Sequence, residues 1–319
     1  MYRVGIDLGG TNIKAGIVDE NQKLIREDSI PTRAERTAED VIADMAEQVQ
    51  TLLQKEKLTL KDIEGIGVGC PGTIDAKSGK VLYSNNLAWE NVLLCEKLEK
   101  NLGTRCKIRV SNDANCAALG EARAGAAKEV KNVILLTLGT GVGGGIIIDG
   151  KIFEGANAGG AELGHVSLVM NGELCTCGRK GCVEAYASAT ALIRDAGRAA
   201  AKEPDSLLNA LCNGHPERMN GKIPFDAASQ GDNTAIRLIE RYYDYLAEAI
   251  ANYVNIFRPD MVLLSGGICN QKERLTEPLN ERLRTLCFAG EKSFIPPVRC
   301  ALLGNRAGII GAANLLETE

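Results

Sequence analysis

Residues 7–19 (DLGGTNIKAGIVD) and 137–149 (TLGTGVGGGIIID) align without a gap, with Leu8 and Leu138, Gly9 and Gly139, Ile17 and Ile147, and Asp19 and Asp149 in register. Each stretch begins at the end of an apolar run, Val4–Leu8 or Val133–Leu138, passes through glycine and enters a second apolar run. That pattern reads as strand, tight turn, strand. A unit of this kind occurring twice predicts two related domains.

Two glycine clusters, residues 67–72 (GVGCPG) and 139–144 (GTGVGG), match the dinucleotide pattern G-x-G-x-x-G and follow apolar runs. Neither leads into a helical pattern, so no helix N-terminus is on hand for a pyrophosphate. A Walker A loop is absent, because no Gly-Lys is followed by Ser or Thr. Glycine hairpin tips still let backbone N–H groups approach phosphate oxygens closely, and two tips facing each other would form a clamp.

The rest of the chain reads as mixed α/β. A third strand is predicted near Leu24–Ile30, and Thr37 with Asp40 reads as a cap for a helix burying Val41, Ile42, Met45, Val49, Leu52 and Leu53. Strands follow at Ile63–Val68 and Lys107–Val110, with helices at Val92–Leu102 and Ala114–Ala124. A long helix is expected at Ala235–Phe257, a strand at Met261–Leu264 before Gly266 and Gly267, and a closing helix after Asn305. The expected division is a first domain over 1–118, completed by 306–319, and a second over 119–305, with a hinge near residues 112–127.

Composition narrows the function. The 319 residues suffice for two cores, and no run approaches the ~18 apolar residues of a membrane span. Thirty-seven basic against 41 acidic side chains, net −4, include no basic run, so neither nucleic acid nor membrane is an expected partner. The N-terminal residues lack a secretory pattern, and the 11 cysteines are an odd count in a long chain. The expectation is a cytoplasmic protein with thiols and a metal rather than disulfides.

His165 is followed by Cys175, Cys177 and Cys182 within one glycine-rich stretch, a spacing of H-x9-C-x-C-x4-C. Three thiolates and one imidazole complete a closed, tetrahedral, structural Zn²⁺ site. Cys70 and Cys116 read instead as small core residues.

From Glu162 to Glu184 this cluster is similar to the signature of the ROK family, named for repressors, open reading frames and kinases, and the order of motifs resembles its bacterial glucokinases along almost the whole chain. The resemblance implies the two-domain actin-like ATPase fold of hexokinases, built on ribonuclease H-like units. It implies ATP with Mg²⁺. Asp7, Gly9, Gly10, Thr11, Asn12 and Lys14 would serve the terminal phosphates and the magnesium. Gly139, Thr140 and Gly141 would serve the other phosphates, and Gly266 and Gly267 the adenosine. Glu162, His165 and Glu184 would bind sugar hydroxyls in one domain, and Gly72, Thr73, Asn86 and Asn112 in the other. It also suggests a homodimer or homotetramer.

Phosphoryl transfer to a hydroxyl needs a carboxylate within reach of its proton. Asp113, at a strand-to-helix junction and in an Asn-Asp pair like the family's, is the expected base; the competing reading is that Asn112 or Asp113 only caps the following helix. The expected reaction is ATP-dependent phosphorylation of a hexose, glucose to glucose 6-phosphate, with sugar binding drawing the domains together. Fructose, allose, mannose and N-acetyl-hexosamines are alternative substrates. A sugar-responsive repressor is the rival class. Such proteins carry a helix-turn-helix before the first glycine turn, where only six residues precede Asp7.

Overall fold

Apolar runs buried along most of their length set the first two strands, while β3 alternates only in its second half. β1 (Tyr2–Leu8), β2 (Asn12–Val18) and β3 (Leu24–Pro31) run antiparallel, with Gly5 opposite Gly16 and Asp7 opposite Lys14. Helix α1 (Ala38–Lys55) starts at Thr37, whose Oγ1 accepts the Asp40 N–H at 3.2 Å. Its expected apolar face is buried, each large side chain contributing about 1.5–3 kcal/mol relative to exposure. Strand β4 (Ile63–Cys70) lies parallel to β1, and β5 (Thr73–Asp75), β6 (Lys80–Ser84) and β7 (Trp89–Val92) form a small antiparallel sheet. Helix α2 (Leu94–Leu102) therefore begins two residues later than its apolar pattern suggests, because Val92 is paired with Val81. Next come β8 (Ile108–Asn112), parallel to β4, and α3 (Asp113–Ala124).

The second hairpin follows as β9 (Val133–Leu138) and β10 (Val142–Ile148), then β11 (Lys151–Ile152). A 3₁₀ turn at Leu163–His165 precedes the helices α4 (Glu184–Ala187), α5 (Ala189–Lys202), α6 (Leu207–Leu211), α7 (Ile223–Ser229) and α8 (Asn233–Phe257). The chain ends with β12 (Met261–Ser265), α9 (Glu273–Leu286), β13 (Val298–Cys300) and α10 (Ala307–Asn314). The computed structural model describes residues 1–157 and 159–317.

One sheet has the order β3-β2-β1-β4-β8 and the other β11-β10-β9-β12-β13. Position by position these are the same topology, so the sequence repeat reflects a repeated ribonuclease H-like sheet. The fold is the actin-like one of the hexokinases.

Contacts divide the chain into two units. The first holds Met1–Leu135, Gly145–Ala161 and the segment from Leu302 on; the second holds Leu136–Gly144 and Glu162–Ala301. The expected boundary after residue 118 falls inside α3, and the expected hinge over 112–127 lies wholly in the first unit. The reason is close packing of α3 on α10. A Cβ on Gly311 would collide with the Cys116 carbonyl, and one on Gly120 with the Ala307 carbonyl. On the opposite side of α10, Gly5 and Gly67 play the same part against Ile309 and Ala312. Glycine here is a requirement of contact distance, since any side chain would push the layers apart. Residues 318 and 319 of the expected 306–319 segment lie outside the described residues.

Candidate active site and metal loop

In the first unit, β1 carries Asp7 one residue before its end at Leu8 and turns through Gly9, Gly10 and Thr11 into Asn12. The turn is closed by the Gly9 N–H donating to the Asn12 carbonyl at 2.9 Å, and Thr32 Oγ1 donates to the Gly9 carbonyl at 2.6 Å. Asn86 lies against this turn, because a Cβ on Gly10 would stand 3.3 Å from its carbonyl oxygen. Lys14 Nζ is 3.6 Å from Asp7 Oδ2, and the Asp7 carboxylate is roofed by α10, where a Cβ on Gly308 would lie 2.8 Å from Asp7 Cγ. Burial raises the Asp7 carboxyl above its ordinary 3.8; Lys14 lowers it and Asp113 raises it further.

Asp113 is the first residue of α3. Asn112 is its N-cap: its Oδ1 accepts the N–H groups of Ala114 at 2.8 Å and Asn115 at 3.3 Å, while Nδ2 donates to the Gly72 carbonyl at 3.1 Å. The capping reading thus applies to Asn112, whose side chain also lies close enough to Asp113 to lower its carboxyl. Asp113 Oδ1 accepts the Ala114 N–H at 2.9 Å. Burial holds its carboxyl above 3.8, against the lowering effect of that N–H. Gly72, at φ 113°, packs so closely on the Tyr83 carbonyl that a Cβ would collide with it, and this seats Thr73 at the start of β5.

Behind the two aspartates sits Cys116, fully buried, its thiol pushed up by burial and then by Asp113, Asp7 and Glu154. Cys70 is also fully buried, and Trp89 is core at 3% exposure rather than a sugar platform. Glu154 is a carboxylate that sequence reasoning missed: its Oε1 accepts Ser111 Oγ at 2.7 Å. Residues 111 and 154 meet only through the fold. The half-buried Asp7 carboxylate, with Lys14 beside it and the Asp113 charge near it, is an oxygen donor that suits a hard divalent cation such as Mg²⁺.

The second unit carries the other turn. Gly139 N–H donates to the Gly141 carbonyl at 3.0 Å, and Gly143 N–H to Thr137 Oγ1 at 3.1 Å. Gly266, at φ 98°, leaves no room for a Cβ beside the Leu138 carbonyl, which brings the turn after β12 against the end of β9. Thr140, Gly266 and Gly267 are exposed. Beside Gly267 opens a cavity of about 520 Å³ whose lining includes Ala189, Lys222, Asp226, Gln271 and Arg274. Lys222 lies 3.4 Å and Arg274 3.9 Å from Asp226. No motif marks these side chains in the sequence.

In the same unit His165, Cys175, Cys177 and Cys182 place one ligand atom each within 4.8 Å of all the others. Cys177 Sγ and Cys182 Sγ are 3.7 Å apart, and Cys175 Sγ is 3.6 Å from His165 Nδ1. A tetrahedral zinc with bonds of about 2.3 Å to sulfur and about 2.05 Å to nitrogen requires edges of about 3.8 and about 3.6 Å. The four residues therefore fit zinc. Nδ1 faces the sulfurs, which leaves Nε2 on the far side of the ring for a hydroxyl.

The loop is pre-formed by its own backbone. Cys175 N–H donates to the Arg179 carbonyl at 2.8 Å and Gly181 N–H to Glu173 at 2.8 Å, with Gly178 and Gly181 at φ 85° and 87°. The turn at 163–165 is held by Tyr253, whose hydroxyl donates to the Leu163 carbonyl at 2.5 Å. Glu162, just before it, is exposed. Glu184, the first residue of α4, accepts Thr176 Oγ1 on one oxygen at 2.5 Å and the Val142 N–H on the other at 3.1 Å.

Known proteins resemble the chain along nearly its whole length. A glucokinase of Thermotoga maritima is 39% identical over 315 residues, covering 98% of this chain and 96% of the relative. The crystal structure of a ROK family glucokinase from Streptomyces griseus in complex with glucose and AMPPNP superposes with a TM-score of 0.81 at 34% identity, covering 100% of both chains. The xylose repressor of Caldicellulosiruptor bescii is 29% identical, covering 99% of this chain and 78% of its own length. The sequence matches the ROK family over residues 3–319, and the chain belongs to that family.

Proposed function

We propose that the chain is an ATP-dependent hexose kinase that converts glucose to glucose 6-phosphate, with Asp113 as general base. The observation that carries this reading is Asp113 itself: a half-buried carboxylate fixed at the start of α3, its pKa raised by burial, and close enough to Asp7 to push the Asp7 carboxyl further up. A base needs this combination of ionisable oxygen and fixed direction.

In the first unit Asp113 takes the proton of the sugar hydroxyl, while Gly72, Thr73, Asn86 and Asn112 orient the ring. Asp7 holds Mg²⁺ through water, with Gly9, Gly10, Thr11, Asn12 and Lys14 toward the terminal phosphates. Bound Mg²⁺ offsets the charge that gathers on the transferred group. In the second unit Gly139, Thr140 and Gly141 approach the other phosphates through backbone N–H groups, and Gly266 and Gly267 receive the adenosine. Glu162, Glu184 and His165 Nε2 bind sugar hydroxyls, and Zn²⁺ on His165, Cys175, Cys177 and Cys182 fixes the loop that carries them. The protein works in the cytoplasm as a homodimer or homotetramer, which light scattering would test.

The experiment is a coupled assay with ATP and Mg²⁺ across glucose, fructose, mannose, allose and the N-acetyl-hexosamines, run beside Asp113→Asn. Glucose should give the highest kcat/KM and the variant should be nearly inactive. Turnover of the variant near that of the parent would refute the assignment of the base, and a preference for another sugar would correct the substrate.

A further inference from the structure

Glu184 engages two different loops at once. Its Oε1 accepts Thr176 Oγ1 at 2.5 Å and lies 3.4 Å from Cys175 Sγ. Its Oε2 accepts the Val142 N–H at 3.1 Å and fills the space where a Gly141 Cβ would be. Each carboxylate oxygen thus has a hydrogen-bond donor in this chain and keeps a lone pair for a sugar hydroxyl, and the second braces the turn proposed for the phosphates. From another side the same turn is bounded by Gly164, where a Cβ would collide with the Val142 carbonyl. The start of the turn is held independently, by the Ala189 N–H donating to the Gly139 carbonyl at 2.9 Å. At the Val142 end Glu184 is, among the described residues, the only charged brace, added to the Gly143 N–H bond to Thr137 Oγ1.

Thr176 stands between Cys175 and Cys177. When those two sulfurs share a tetrahedral centre, the backbone of Thr176 is fixed from both sides, and so is the direction of its hydroxyl. We infer that Thr176 is a positioning residue which sets the 138–144 turn through Glu184, so that the metal loop governs nucleotide affinity as well as sugar affinity. This rests on the kinase reading for the word nucleotide. The chain of contacts from Thr176 to Val142 stands on its own distances.

The test compares the parent with Thr176→Val, which keeps the branched shape and loses the donor, and with Thr176→Ser, which restores it. Zinc content, affinity for a non-hydrolysable ATP analogue and hydrogen exchange at residues 138–144 are measured on each. Thr176→Val should bind the analogue about three- to tenfold more weakly, the loss of one charge-assisted hydrogen bond. Its 138–144 amides should exchange faster while zinc content stays at the parent's level, and Thr176→Ser should match the parent. Metal-free parent protein should show the same faster exchange. Unchanged exchange in Thr176→Val, or zinc lost in step with affinity, would overturn the relay. Failure of the parent to bind any nucleotide would sink the kinase reading instead, leaving the exchange data to decide the relay.

Discussion

The two glycine hairpins share a topology and differ in what braces them. The first carries its own charges, Asp7 and Lys14 facing each other at 3.6 Å across β1 and β2, and is sealed by Gly308 of α10. The second has no charged residue from Thr137 to Ile148 and takes its carboxylate from α4, through Glu184 and the Val142 N–H. Duplicating a sheet reproduces the shape of its turn. It does not reproduce the chemistry, which in one unit is local to the hairpin and in the other arrives from a distant loop.

The largest break in this comparison is expected at Asp113. Asp113→Asn should lower kcat by about 10²- to 10⁴-fold, read in the coupled assay. Thermal stability should not fall, because a buried carboxylate opposes folding when ionised. Its folded pKa is raised, so the native state binds the proton more tightly than the unfolded chain, and this group's contribution declines as pH climbs through that raised value. The amide escapes that decline.

Removing the metal attacks the second unit alone. Chelation should weaken sugar binding by at least about tenfold, measured by calorimetry, and readdition of zinc should restore it. Metal analysis of active protein that finds no zinc would remove this part of the account.

Within the second turn the two glycines should separate. Gly141→Ala drives a methyl into Glu184 Oε2 and should raise the KM for ATP by about tenfold, whereas a Cβ on Gly139 meets nothing within 4 Å. Gly139→Ala should therefore leave the melting temperature unchanged, so that any effect on nucleotide reports blocked approach rather than misfolding. The smallest effect is a displaced acid limb. A base must be ionised, so kcat/KM should rise with pH through a value above 3.8. A limb at or below 3.8 would mean that another group carries the proton.

Much of the architecture is legible in the residues because local rules decide it. The Thr37 cap, the buried stripe of α1 and the strand-turn-strand repeat each depend on neighbours within a few positions. The metal set is legible for the same reason, three ligands falling within eight residues. What stays hidden is what chain-distant residues decide. Asn112 looks like a sugar ligand in an Asn-Asp pair, yet most of its hydrogen-bonding capacity is spent on α3 and Gly72. Glu154 meets Ser111 across 43 positions, and Glu184 meets Val142 across 42. Val92 reads as helical until β6 claims it. The charged walls of the cavity beside Gly267 come from α7 and α9, which carry no motif.

The glycine-lined seat of α10 also has a consequence for synthesis. Gly5 and Gly67 wait for Ile309 and Ala312, so the layer beneath Asp7 and Asp113 stays incomplete until α10 has been made. A nascent chain halted before residue 307 would leave Asp7 and the start of α3 without that support, while the unit holding the metal ligands has already been made.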